Sequence, residues 1–193
     1  MKVGHIVFLA VAATAVVSFA AYEEVPVEEP SPQEEIAVAE VRVIPVEDEV
    51  VLYDVPLYEC LQRHIIQLCQ TYEVDPAIVF ALIRYESNYD PHAVGDGGDS
   101  IGLMQIQPRW HSERMEQLGC TDLYDPYQNV TVGISILAEK LAQYDSVGEA
   151  LTAYNAGDYG AYIHYFGKGI YANAYAEKIL AYAEELRKGR EII

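Results

Sequence analysis

Residues 81 to 108, ALIRYESNYDPHAVGDGGDSIGLMQIQP, close one apolar helix, pass through a glycine-rich turn and return to apolar sequence. The first of them continue the run Ile78-Val79-Phe80-Ala81-Leu82-Ile83, and Ser87, Asn88, Asp90 and Pro91 then stop the helix. Glu86 stands at that junction. A carboxylate held against an apolar core and beside the negative end of its own helix dipole is disfavoured in its charged form. Its pKa rises, as a general acid requires. A lone Glu in such a place is ordinarily a solvated helix terminus, so any chemical role for Glu86 depends on the residues that accompany it.

On either side the pattern is helical. Leu57, Leu61, Ile65, Leu68 and Tyr72 recur at three- and four-residue spacing, which predicts an amphipathic helix of about four turns. Asp75-Pro76 supplies an N-cap and a proline at the first helical position for the helix that carries Glu86. Asp125-Pro126 repeats the device ahead of Val130, Ile134, Leu137, Leu141 and Tyr144. Ser146 and Glu149 form a capping box for a helix that runs to Gly157. Two further helices are predicted over residues 159 to 166 and 173 to 188, with Gly167 and Gly189 as terminators. Only residues 90 to 101 read as irregular loop. The expected fold is an all-α domain of six to eight short helices.

Glu86-Ser87, Gly102-Leu103-Met104-Gln105 and Ala153-Tyr154-Asn155-Ala156-Gly157 follow one another in an order and spacing that resemble the catalytic domain of the soluble-type (SLT) lytic transglycosylases, relatives of goose-type lysozyme. Each motif alone is weak; three in order, each at a helix end or turn, are specific. The resemblance covers roughly residues 57 to 187. It implies a lysozyme-like fold and cleavage of peptidoglycan at the β-1,4 bond between N-acetylmuramic acid and N-acetylglucosamine.

Most glycosidases pair an acid with a second carboxylate, but this motif set contains one. Asp90, Asp96 and Asp99 all lie in the glycine-rich loop, where solvated turn residues are the default. In the family the substrate's own N-acetyl group and C6 hydroxyl are thought to stand in for the partner, leaving a 1,6-anhydromuramyl end. The resemblance thus assigns Glu86 as acid and then base. Around it, Ser87 either hydrogen-bonds near the carboxylate or caps the helix. Gly102 lets backbone approach a sugar, Met104 either offers apolar cleft surface or packs in the core, its commoner fate, and Gln105 presents a donor and an acceptor to an acetamido group. Tyr154 and Asn155 form the opposite wall. Tyr175 matches a late family tyrosine near the acid, with Tyr171 as its rival. No cofactor or metal is required. Two departures stand out: Asp158-Tyr159-Gly160 replaces a more compact glycine turn, and Ser100 occupies a place that is often Ala. A hydrolytic muramidase, with Asp96 or Asp99 positioning water, and a non-catalytic glycan-binding module are the alternatives.

The remainder of the chain bears on location and partners. Met1-Lys2 precedes the apolar run from Val3 to Ala21, which reads as an export signal at residues 1 to 21, either cleaved or kept as an N-terminal membrane anchor. Residues 22 to 56 hold eleven acidic residues against Arg42 alone, a net charge of −10, with five prolines, and read as a disordered linker. The catalytic domain is then 57 to 193, with nineteen acidic against ten basic residues, a net charge of −9. That balance excludes nucleic acid as a partner and leaves peptidoglycan strands to be held by neutral sugar contacts. The expected protein is an extracytoplasmic monomer. Cys60 and Cys69 lie about 13.5 Å apart along one helix, so a disulfide would have to use Cys120; the alternative is three reduced, buried thiols.

Overall fold

The computed structural model describes residues 50 to 190; the expected export signal and residues 22 to 49 of the expected linker lie outside them. Six α-helices occupy most of the described chain. Helix α1, Glu59–Tyr72, buries Leu61, Ile65, Ile66 and Cys69 and ends where Glu73 turns left-handed. Helix α2, Pro76–Ser87, begins at Asp75, whose side chain accepts a hydrogen bond from the Ala77 N–H at 2.8 Å. Ala77 to Ile83 are all buried, so α2 is apolar on every side and runs through the middle of the core.

Helix α3, Pro108–Gln117, follows the motif loop; it buries no residue fully, and no apolar periodicity marked it in the sequence. Helix α4, Pro126–Gln143, is capped by Asp125, which accepts from the Tyr127 N–H at 2.9 Å. Helix α5, Val147–His164, starts at Ser146, whose hydroxyl accepts from the Glu149 N–H at 3.2 Å. Regular helix stops at Gly157, as expected. Gly157 adopts φ 69 and ψ 158, bending the chain, and helix resumes beyond it. Helix α6, Ala174–Arg190, starts beside Asn173, whose side chain accepts from the Ala176 N–H at 2.9 Å. The described part of α6 includes Gly189 and reaches Arg190.

Helix α2 packs most extensively on α6, α4 lies between α1 and α5, and α5 also meets α6. The loop expected to be irregular contains a small antiparallel hairpin, β1 (Val94–Gly95) with β2 (Ser100–Ile101), in the register Val94 to Ile101 and Gly95 to Ser100.

The packed domain begins before Leu57. Tyr53 is 5% exposed, its ring centroid lies 4.7 Å from that of Phe80, and its N–H donates to Gln62 Oε1 at 3.0 Å. Val50, Leu52 and Val55 also pack on the core, so residues 50 to 56 are scaffold where linker was expected. Cys60, Cys69 and Cys120 are free thiols, Cys60 exposed and the other two buried; burial pushes Cys69 up to about 12. No helix among the described residues is long and apolar enough to cross a membrane.

Candidate active site

Glu86 lies in the last turn of α2, where the buried run has just ended, and lines a cleft of about 940 Å³. Beyond it Asn88 and Tyr89 both take positive φ, 54° and 67°, which turns the chain sharply away. Burial pushes the Glu86 carboxyl up to about 7; a hydrogen bond from Tyr175 pulls the other way, and the nearby Asp96 adds a smaller upward push. The Tyr175 hydroxyl on α6 donates to Glu86 Oε1. Tyr171 precedes α6, is 58% exposed and stacks on Phe166, so it takes no part in this contact. Burial first, and the Glu86 charge second, raise both Tyr175 and Tyr154 well above the ordinary tyrosine range. Both therefore act as O–H donors at neutral pH.

The motif loop is held by a residue with no assigned role in the sequence pattern. Asn129, fully buried on α4, accepts from the Met104 N–H at 2.9 Å and donates to the carbonyls of Ile101 at 2.8 Å and Leu123 at 2.9 Å. A polar side chain at the head of an apolar helical run was its only sequence signal. Asn129 also explains Gly102, which has φ 75; a Cβ there would meet Asn129 Nδ2 at 2.2 Å and the Leu123 carbonyl at 2.6 Å. Gly102 thus makes room for the Asn129 hub. Met104 takes the core alternative: it is fully buried, with its sulfur against Gly133, and contributes no side-chain surface to the cleft.

Gln105 does line the cleft, but its amide N–H groups are committed to the carbonyls of Ala93 at 3.2 Å and Gly102 at 3.0 Å. Only its acceptor end can serve a ligand without breaking the loop. Ser87 donates to the Ile83 carbonyl at 3.2 Å, the helix-end alternative of its two expected roles. Tyr154 and Asn155 form the α5 wall. The Tyr154 hydroxyl donates to the Met104 carbonyl at 3.0 Å, and Asn155 Oδ1 accepts from Asn173 at 3.4 Å.

Of the loop aspartates, Asp96 shares the cleft with Glu86, and its Oδ2 accepts from Ser100 at 2.6 Å and Gln107 at 3.0 Å. Asp99 is instead paired with Arg109 at 2.8 Å. Trp110, His111 and Lys140, which had no sequence signal of their own, also line the cleft, as do Asp158 and Tyr159 of the departure after the Asn motif. Lys140 pairs with Asp158 at 2.7 Å, and Tyr144 donates to the same carboxylate at 2.9 Å. Burial, with Arg114 nearby, lowers the His111 pKa and keeps that ring neutral.

One acid poised near neutrality, a hydroxyl donor on it and an open groove beside it form an arrangement suited to proton transfer onto a bound polymer. The model of the transglycosylase SLT domain matches residues 63–165. A transglycosylase of Enterobacteria phage PRD1 is 37% identical over 86 residues, covering 45% of this chain and 31% of the phage protein. Invasion protein IagB of Salmonella typhimurium is 35% identical over 98 residues, 48% of this chain and 61% of its own length. The chain thus spans less than two thirds of these curated relatives. Among solved structures, the 70 kDa soluble lytic transglycosylase of Escherichia coli superposes with a TM-score of 0.55 at 21% identity, covering 66% of this chain and 24% of that one. An inactive mutant of lytic transglycosylase Slt from Pseudomonas aeruginosa gives 0.52 at 22%, covering 63% and 23%. At such identities these two establish the shared lysozyme-like fold. Since the family match takes in more than half of the sequence, the chain belongs to the transglycosylase SLT domain family.

Proposed function

We propose that this domain is a peptidoglycan lytic transglycosylase acting in the cell envelope, with Glu86 as its general acid and then its general base. The observation that carries the reading is Glu86 itself: a carboxyl held near 7 by burial, lining the cleft and bonded to Tyr175. Family membership supports the reaction class, and relatives such as the membrane-bound lytic murein transglycosylase F of Desulfosudis oleivorans support the substrate and the envelope location.

In the first step protonated Glu86 gives its proton to the oxygen bridging N-acetylmuramic acid and N-acetylglucosamine as the bond to the anomeric carbon breaks. The carboxylate so formed keeps the Tyr175 hydrogen bond, which strengthens as charge develops. In the second step it accepts the C6 hydroxyl proton while that oxygen closes onto the anomeric carbon. Glu86 is regenerated, no water is consumed, and the product carries a 1,6-anhydromuramyl end. A tethered hydroxyl outcompetes water because its effective molarity is far higher.

Hydrolysis at the same bond is the second reading, favoured by the place of Asp96 in the cleft beside Glu86. Two hydrogen bonds already occupy Asp96 Oδ2, which weakens its claim on a water. Mass spectrometry of digested peptidoglycan in ¹⁸O-labelled water decides between them. Anhydro ends without label are expected; labelled reducing ends would replace the lyase by a muramidase, and no new ends would leave only a glycan-binding module.

A further inference from the structure

The charged side chains of the cleft repeat the acidic balance of the domain. Glu86, Asp96 and Asp158 line it, and Lys140 is already paired with Asp158 at 2.7 Å. A polymer bearing carboxylates gains little from such a surface through charge, so uncharged ring contacts must hold it. Two lining side chains have the area for this. Trp110, the third residue of α3, is 71% exposed, and Tyr159, beyond the Gly157 bend of α5, is 80% exposed.

Isolated exposed aromatics are ordinary on protein surfaces. Trp110 differs in being braced. The Arg109 guanidinium lies over its ring, 5.2 Å from the centroid, where a cation is attracted to the aromatic face. Arg109 is itself tied to Asp99 at 2.8 Å and to Gln107 Oε1 at 3.2 Å. Gln107 in turn donates to Asp96 Oδ2 at 3.0 Å, inside the cleft. The indole is therefore fixed to the motif loop on one side while most of its surface stays open. A ring pre-ordered in this way loses little freedom when a flat apolar face settles on it. A core role is excluded by its exposure, and no interior contact depends on it.

We propose that Trp110 is a stacking platform for a sugar ring of the glycan strand lying outside the two rings whose bond is cleaved, with Tyr159 as a second platform on the α5 side. Together they set the length of strand the domain prefers. This rests on the reading of the cleft as a glycan site, but it concerns strand binding and not the fate of the bond.

The chain contains a single tryptophan, so the platform is its own reporter. The test uses the full chain carrying Glu86→Gln, which binds without turnover, titrated with β-1,4-linked N-acetylglucosamine oligomers from dimer to hexamer. Tryptophan emission and calorimetry are followed together. Affinity is expected to rise with length, and the emission to shift with the longer oligomers. Adding Trp110→Ala should cost about tenfold in hexamer affinity, the loss of one aromatic contact, and Trp110→Phe should recover most of it. In the chain with Glu86 intact, Trp110→Ala should raise KM for long strands more than it lowers kcat. Hexamer binding seen by calorimetry with unchanged emission would overturn the platform and leave the glycan cleft standing. So would undiminished hexamer affinity in Trp110→Ala. Failure of every oligomer and of isolated glycan strands to bind would overturn the platform and the proposed function together.

Discussion

Tyr175 on α6 and Glu86 on α2 are 89 positions apart in the chain, and the tyrosine hydroxyl donates directly to the Glu86 carboxylate. This contact joins the two helices that pack most extensively on each other, so the geometry of the acid is part of the geometry of the core. Tyr175→Phe should therefore fold normally and lower kcat by about a hundredfold, the usual effect of removing one donor to a developing charge. Tyr171→Phe should be nearly silent, because Tyr171 only stacks on Phe166 at the surface. Steady-state kinetics on soluble glycan strands checks both; a crippled Tyr171→Phe with an active Tyr175→Phe would reverse the assignment.

The pKa of Glu86 makes activity and stability fall together as pH rises. As the acid, Glu86 must be protonated in the free enzyme, so kcat/KM should fall about tenfold per pH unit once pH exceeds about 7. For stability, its folded pKa is raised from 4.5 to about 7, so between those values the folded protein binds the extra proton. Stability from this group is fully present below about 4.5 and is lost as pH rises through about 7, by roughly 3 kcal/mol. Glu86→Gln abolishes this dependence. Its melting temperature should gain on the parent's as pH goes from 4.5 to 8, while its activity falls by roughly 10²- to 10⁴-fold.

A chain beginning at Leu57 should be markedly less stable than one beginning at Val50. It loses the buried Tyr53 ring on Phe80 and leaves Gln62 without its bond to the Tyr53 N–H. Removing a buried aromatic side chain costs about 3 to 5 kcal/mol, which for a domain of this size lowers the melting temperature by about 10 °C. Calorimetry of the two forms, with Tyr53→Ala as the single-residue equivalent, measures this. Equal melting would show that residues 50 to 56 carry no packing energy.

Gly102→Ala should damage the fold and activity together. Its Cβ meets Asn129 Nδ2 at 2.2 Å, and φ 75 is strained for alanine. Asn129→Ala should act similarly, by about 2 to 4 kcal/mol, because it takes the partner from the Met104 N–H and the Leu123 carbonyl and leaves the Ile101 carbonyl only its bond from the Ile106 N–H. Urea unfolding of both variants provides the comparison. If Gly102→Ala kept full stability and lost only substrate affinity, the glycine would be a sugar contact after all.

Helix ends and apolar faces were legible in the sequence because their causes are local. Asp75, Asp125 and Ser146 reach backbone N–H groups two or three residues away, and the apolar run through Ile83 forces α2 inward and strands Glu86 where burial ends. The roles of Gly102, Met104 and Gln105 were not legible, because each depends on what another element brings to it. Asn129 and Gly133 arrive from α4, and the Ala93 carbonyl from the hairpin loop. The same holds for Trp110, whose place at the cleft depends on a surface helix with no apolar period. By itself the sequence determined an α-helical domain with one acid at the end of its central helix, since propensity, capping and burial act over a few residues. Only the tertiary structure decided which tyrosine serves that acid, which motif residues hold the loop and which side chains line the cleft, since packing between distant segments follows no spacing in the chain.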